Sequence, residues 1–168
     1  LTYGFGASAK WRGFDLNLLF QGVGKSSFFI EGSTVFMFRN GDGGGNVLSQ
    51  LANGNRWIPR EISGTADTED PNATYPRLSY GGNNNNQQRS TFWLQDGSYM
   101  RLKTFELGYS LPKKVTRAMY CNNVRVFFIG TNLLTWSGFK LWDPELTSSD
   151  GKAYPLTRSF SLGVTINL

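Results

Sequence analysis

Apolar residues alternate with small or polar ones over stretches of about ten residues, and this pattern leaves few folds open. In residues 2–11, Tyr3, Phe5, Ala7, Ala9 and Trp11 share one parity, and Thr2, Gly4, Gly6, Ser8 and Lys10 share the other. A strand sends successive side chains to opposite faces, so the segment has one apolar and one polar face. Arg12-Gly13 makes a tight turn, and residues 14–23 repeat the pattern, with Phe14, Leu16, Leu18 and Phe20 opposed to Asp15, Asn17 and Gln21. Leu19 is the exception. The two segments read as a hairpin. Its strands exceed the roughly five or six residues usual in soluble sheets. They match the roughly 9–11 that a tilted strand needs to cross a bilayer.

Three more strands are predicted, over 98–109, 124–134 and 157–168. In the last, Phe160, Leu162, Val164, Ile166 and Leu168 alternate unbroken with Ser159, Ser161, Gly163, Thr165 and Asn167. In 98–109 the parity conflicts, because Arg101 and Lys103 fall in step with Phe105, Leu107 and Tyr109. Either a bulge shifts the register near Thr104, or the Arg/Lys half stands clear of the apolar zone. Residues 24–97 read as a long loop, with a glycine-rich run at 41–45, an asparagine run at 83–86 and Pro59, Pro71 and Pro76. Only the apolar stretch 28–38 and a short helix near 47–52 interrupt it. A second loop covers 135–156, and a basic turn with Lys113, Lys114 and Arg117 covers 110–123. Short turns on one side and long loops on the other are the asymmetry of outer-membrane barrels. The smallest such barrels need about eight strands, and Leu1–Gly6 already reads as mid-strand. The chain is therefore expected to begin inside a larger polypeptide.

Composition narrows the chemistry. The chain has no His, which removes Ser-His-Asp and Cys-His catalysis and His-ligated zinc. Cys121 is the single cysteine, so no intrachain disulfide forms. No apolar run approaches the roughly 20 residues of a membrane helix. The net charge of +5 is spread along the chain and reads as a solvated surface; no strand face gathers the cations that nucleic-acid binding would need. Gly22-Val23-Gly24-Lys25-Ser26 lacks the upstream Gly of a phosphate loop, since that position is Leu19. The close carboxylate pairs are Glu69-Asp70 and Asp143 with Glu145, and no cleft sets either pair across a substrate. Asp143-Pro144-Glu145 more simply fixes a turn or pairs with a basic side chain. No catalytic residue, metal ligand or cofactor is expected.

Several blocks carry a resemblance. They are Asp96-Gly97-Ser98-Tyr99-Met100-Arg101-Leu102-Lys103, Glu106-Leu107-Gly108-Tyr109-Ser110-Leu111-Pro112, Val124-Arg125-Val126, Gly130-Thr131-Asn132-Leu133-Leu134-Thr135-Trp136 and Asp143-Pro144-Glu145, with Asn72–Leu78 ahead of them. In order, they resemble the C-terminal part of the SusC/RagA family, TonB-dependent outer-membrane transporters of Bacteroidota. The final residues, with Ser161, Gly163, Ile166 and Leu168, fit the signal read by the barrel-assembly machinery, although an aromatic is commoner than the closing Leu168.

The resemblance implies an all-β fold, the last five antiparallel strands of a plugged, roughly 22-stranded transmembrane barrel. It places 24–97 and 135–156 outside the cell and 110–123 in the periplasm. It implies import of a glycan or peptide, with a SusD-like lipoprotein lid and with TonB acting on an N-terminal part and a plug that have no counterpart here. Phe160, Leu162, Val164, Ile166 and Leu168 are then lipid-facing, and Tyr3, Trp11 and Tyr109 suit the aromatic girdle. Among the aromatics in or beside the outer loops, including Trp57 and Trp93, the candidate cargo or lid contacts are Trp136, Trp142 and Tyr154, together with Asp143 and Glu145. The competing reading is a soluble β-rich carbohydrate-binding module that uses the Trp-rich loops.

Overall fold

The computed structural model describes residues 1–38, 47, 49–80, 83–146 and 148–168. The chain divides into two compact units. One holds residues 1–27, 96–146 and 154–168, and the other holds 28–95 with 148–153. The glycine-rich run at 41–45 lies outside the described residues.

The first unit is an open antiparallel sheet. β1 (Thr2–Trp11) and β2 (Phe14–Val23) pair residue for residue, from Thr2 opposite Val23 to Trp11 opposite Phe14. Arg12 (φ 47°) and Gly13 (φ 91°) close the hairpin with two left-handed residues, the turn whose twist matches the strands. After two short strands of the other unit, β3 (Ser27–Phe29) and β4 (Leu94–Asp96), the sheet continues with β5 (Tyr99–Ser110), β6 (Asn123–Ser137) and β7 (Ser159–Asn167). The order across the sheet is β1-β2-β5-β6-β7. β6 runs past the expected end at 134 and takes in Thr135, Trp136 and Ser137, so the second long connection starts later than 135. A short helix (Lys113–Ala118), begun at Pro112, lies in the connection from β5 to β6.

The parity conflict in β5 resolves as a bulge. Leu19 pairs with Thr104 but Phe20 pairs with Leu102, so Lys103 is left over. On the other side Thr104 faces Thr131 while Leu102 faces Leu134, which leaves Asn132 and Leu133 against Lys103. Asn132 takes the left-handed conformation (φ 53°) that asparagine tolerates best after glycine. The slip returns both halves of β5 to one pattern. Met100, Leu102, Phe105, Leu107 and Tyr109 share a face, and Arg101, Thr104, Glu106 and Gly108 share the other.

Register then joins the five strands into two opposite surfaces. Ring stacks link neighbours on the apolar side: Phe5 on Phe20 (5.0 Å), Phe14 on Tyr109 (4.5 Å), and Phe160 on Phe128 (6.1 Å). Phe160, Leu162, Val164 and Ile166 continue this side onto β7 and are exposed, and Leu168 lies just beyond the strand. Leaving a large apolar side chain in water forgoes about 1.5–3 kcal/mol. A contiguous face of them calls for an apolar surrounding.

The second unit is a different construction. The apolar stretch 28–38 yields only β3 followed by turns, because Ile30, Val35 and Phe36 go into a small core with Leu51 and Trp93. The edge of the Trp93 ring meets Phe36 (5.0 Å), and its Nε1 donates to the Asn86 carbonyl (2.8 Å). Short helices α1 (Ser49–Ala52) and α2 (Arg60–Ser63) and a 3-10 turn (Ala66–Thr68) carry the chain round this core. Arg60 with Glu69 and Arg89 with Glu31 (2.8 Å each) pin its surface.

Candidate functional site

The polar surface of the sheet holds two charge networks, one toward each end of the strands. The first lies beside the long connections. Arg101, 2% exposed, stands on the polar face of β5. Its Nη2 donates to Asp143 Oδ1, and its Nε lies 3.2 Å from Glu145 Oε2. Lys103, freed by the bulge, reaches Glu145 Oε1 with its ammonium at 2.6 Å. The Glu145 N–H donates to Asp143 Oδ1 (3.0 Å), so one carboxylate closes its own turn and holds the strand as well. Burial pushes the Asp143 carboxyl up. The hydrogen bond from Arg101, the Glu145 N–H and the charges of Arg101 and Lys103 outweigh that, and the group sits below the usual carboxylate range.

The expected cargo or lid contacts therefore part company. Asp143 and Glu145 come together, but they are held by the sheet's own Arg101 and Lys103, the pairing that the Asp-Pro-Glu turn also suggested. Trp136 is corrected from loop to strand. It lies on β6 opposite Met100, on the apolar side, 6.4 Å from the Phe20 ring, and so is turned away from the polar surface. The continuation of β6 past its bulge is the physical reason. Trp142 packs its ring against Phe139 (4.9 Å), and its buried indole N–H has no partner among the described residues. Tyr154 is exposed.

The second network escaped the sequence reading. Arg125 on β6 reaches across β5 to Asp15 on β2, donating through Nε (3.0 Å) and Nη2, and Nη2 also donates to Glu106 (2.6 Å). The path is open because Gly108 lies beneath it; a Cβ there would overlap the guanidinium and the Asp15 carboxylate. Phe127 supports the same guanidinium from its other side (5.1 Å) and lies across Gly163 of β7. The three charged residues share polar parity, but they sit 19 and 110 positions apart, and only the strand register brings them together. An open basin of about 570 Å³ beside them is lined by Lys10, Asn17, Ser110 and the network itself.

The chemistry of this surface is that of a hydrated, charged wall. Paired carboxylates and guanidiniums need water or one another, and both networks sit on the face opposite the apolar one. Among the described residues no group of side chains could hold a metal ion. Among the same described residues no helix is long and apolar enough to cross a membrane, which says nothing of strands.

No family model matches the sequence. Two curated relatives from Formosa agariphila do. TonB-dependent receptor P26 is 28% identical over 179 residues, 99% of this chain and 17% of the relative. TonB-dependent receptor P3 is 26% identical over 178 residues, 98% of this chain and 16% of the relative. Among solved structures, the RagAB peptide importer in its closed-closed state gives a TM-score of 0.72 at 26% identity, over 98% of this chain and 17% of that one. Its open-open state gives 0.72 at 25%, over 99% and 17%. The chain thus spans only 16–17% of the proteins it matches. Five long antiparallel strands with segregated faces align end to end, in sequence and structure, with a stretch of these receptors, and the chain is similar to a β-barrel segment of a TonB-dependent receptor of the SusC/RagA type.

Proposed function

We propose that the chain forms part of the wall of a TonB-dependent nutrient importer that takes up a glycan or a peptide. The observation that carries this reading is the division of one sheet into an exposed apolar face and a charged polar one. In a bilayer the first meets lipid and the second lines a wet interior. The full barrel is then the plugged, roughly 22-stranded class, with β1 and β7 each pairing a further strand. Phe160, Leu162, Val164, Ile166 and Leu168 face lipid, and Ser161, Gly163, Ile166 and Leu168 serve barrel assembly. Trp136 and Trp11 sit at opposite ends of the apolar face and suit the two girdles. The connections around 24–98 and 138–158 face the outside, where a SusD-like lipoprotein covers the opening, and the short helix lies in the periplasm. TonB acts on other parts of the receptor. The RagAB importer, a peptide transporter with a TM-score of 0.72, supports import as the general activity.

The test is a pair of substitutions in the full receptor, scored by its heat-modifiable band in isolated outer membranes. Leu162→Arg places a cation in lipid at a cost of about 2–4 kcal/mol near the midplane, and should strongly reduce the folded band. Thr165→Lys, on the opposite face of the same strand, should leave it near wild type. Equal tolerance of both would overturn the barrel reading.

A further inference from the structure

The structure assigns a binding site for a neutral saccharide to a cleft in the unit of residues 28–95. The cleft is open to solvent and measures about 520 Å³, within the range of roughly 300–1,000 Å³ usual for small-molecule sites. Two rings lie open in it, Trp57 at 37% exposure and Phe92 at 41%, in a unit that buries Trp93 and Phe36. The Phe92 ring and the Trp57 backbone are held in place. Tyr75 meets Phe92 edge-on (5.8 Å), and Phe92 meets Trp93 the same way (4.7 Å). The backbone N–H of Trp57 donates to the Tyr75 carbonyl (3.0 Å). A ring as fixed as Phe92 offers a flat apolar surface at little entropic cost, and Trp57 adds a larger one beside it.

Polar groups face the same space. Trp93 Nε1 holds the Asn86 carbonyl, and Asn83 Oδ1 accepts from the N–H groups of Asn85 (3.0 Å) and Asn86 (3.4 Å). The backbone of this turn is thereby committed, while the side-chain amides of Asn85 and Asn86 are left to offer donors and acceptors. Asp70 spends Oδ1 on the Asn72 N–H (2.8 Å) and keeps Oδ2. Among the described residues no lysine or arginine lines the cleft, which disfavours phosphate, sulfate or uronate ligands.

A pyranose ring fits that chemistry. Its C–H face is apolar and flat, and suits Trp57 and Phe92. Its hydroxyls form a rim of adjacent donors and acceptors, and suit two amides and one carboxylate oxygen. A peptide would more naturally ask for a free strand edge or a deep side-chain pocket, and neither lines this cleft.

Calorimetric titration of the purified full receptor in detergent tests the site. The probes are neutral gluco-, xylo- and galacto-oligosaccharides of three to six units, with a tryptic peptide mixture in parallel. At least one oligosaccharide should bind, with Trp57→Ala weakening it tenfold or more, Asp70→Asn weakening it several-fold, and Trp57→Phe retaining most of the affinity. Near-UV circular dichroism of each variant checks that the unit is still folded. The assignment is overturned if none of these sugars binds at millimolar concentration. It is equally overturned if a folded Trp57→Ala binds as well as wild type, or if peptides bind at the cleft and sugars do not. The site stands apart from the importer reading. Binding without uptake would count against transport alone, and uptake with no sugar bound would count against the cleft alone.

Discussion

In the five-stranded sheet one face leaves large apolar side chains exposed, Leu162 at 78% and Phe160 at 66%, whereas the unit of residues 28–95 gathers Ile30, Val35, Phe36 and Trp93 inward around Leu51 at 0%. Both are built from the same kinds of residue. What differs is the neighbour each expects. The loop unit follows the ordinary rule of soluble proteins, in which apolar surface is removed from water by packing on itself. The sheet puts charge on one side and hydrocarbon on the other, with little between them except backbone. An apolar residue therefore says only that it avoids water, and the long-range pattern says whether its refuge is a core or a bilayer.

The largest effect should come from the buried charge that the sheet depends on. Arg101→Ala leaves Asp143 and Glu145 with Lys103 alone, and removing one partner of a buried ion pair costs about 3–5 kcal/mol. The urea midpoint of the reconstituted receptor should fall accordingly. An unchanged midpoint would mean that the Asp-Pro-Glu turn is not docked. Leu51→Ala should come next, at about 2–5 kcal/mol, because a cavity remains where the side chain was. Its signature should be local: faster proteolysis within residues 28–95, with the barrel's heat-modifiable band intact. Leu162→Ala makes the same chemical change in the other setting. On the proposed lipid-facing side, lipid would refill the space, so only the transfer contribution of about 2 kcal/mol should be lost. Should it match or exceed Leu51→Ala, the contrast between the two regions fails. The smallest effect is that of acid. Asp143 titrates below its ordinary value of 3.8, so its contribution is fully present above that pH and is lost as the pH falls through its lowered pKa. Trp142 fluorescence, compared with that of a Trp142→Phe control, should report the turn loosening only below about that pH. Loosening between pH 5 and 7 would point to another group.

Much of the sheet was legible because period-two alternation survives any register. The conflict was visible, since Arg101 and Lys103 fall in step with Phe105; whether the chain slipped or the cationic half stood clear of the apolar zone was open, and the register shows the slip. Trp136 misled for the same reason on β6: Asn132 and Leu133 break the alternation, and the strand looks finished three residues before it is. The apolar run 28–38 stood out only as a break in the loop signal; its residues serve a compact core whose other members, Leu51 and Trp93, are distant in sequence. The Arg125 network was illegible in principle. Parity places its members on one face, but the offset of β2 against β6 places them together, and that offset is a property of the paired strands.

Gly108 shows how an absence can carry information. The arginine of β6 reaches β2 only because one position on the strand between them has nothing to put in the way. The two sites are therefore coupled like a cable and the notch it runs through. In a library that randomises both, side chains at 108 should survive only in members that have given up the arginine at 125. A mutational scan of 108 alone would record an intolerant position and miss that its intolerance belongs to a residue on the neighbouring strand.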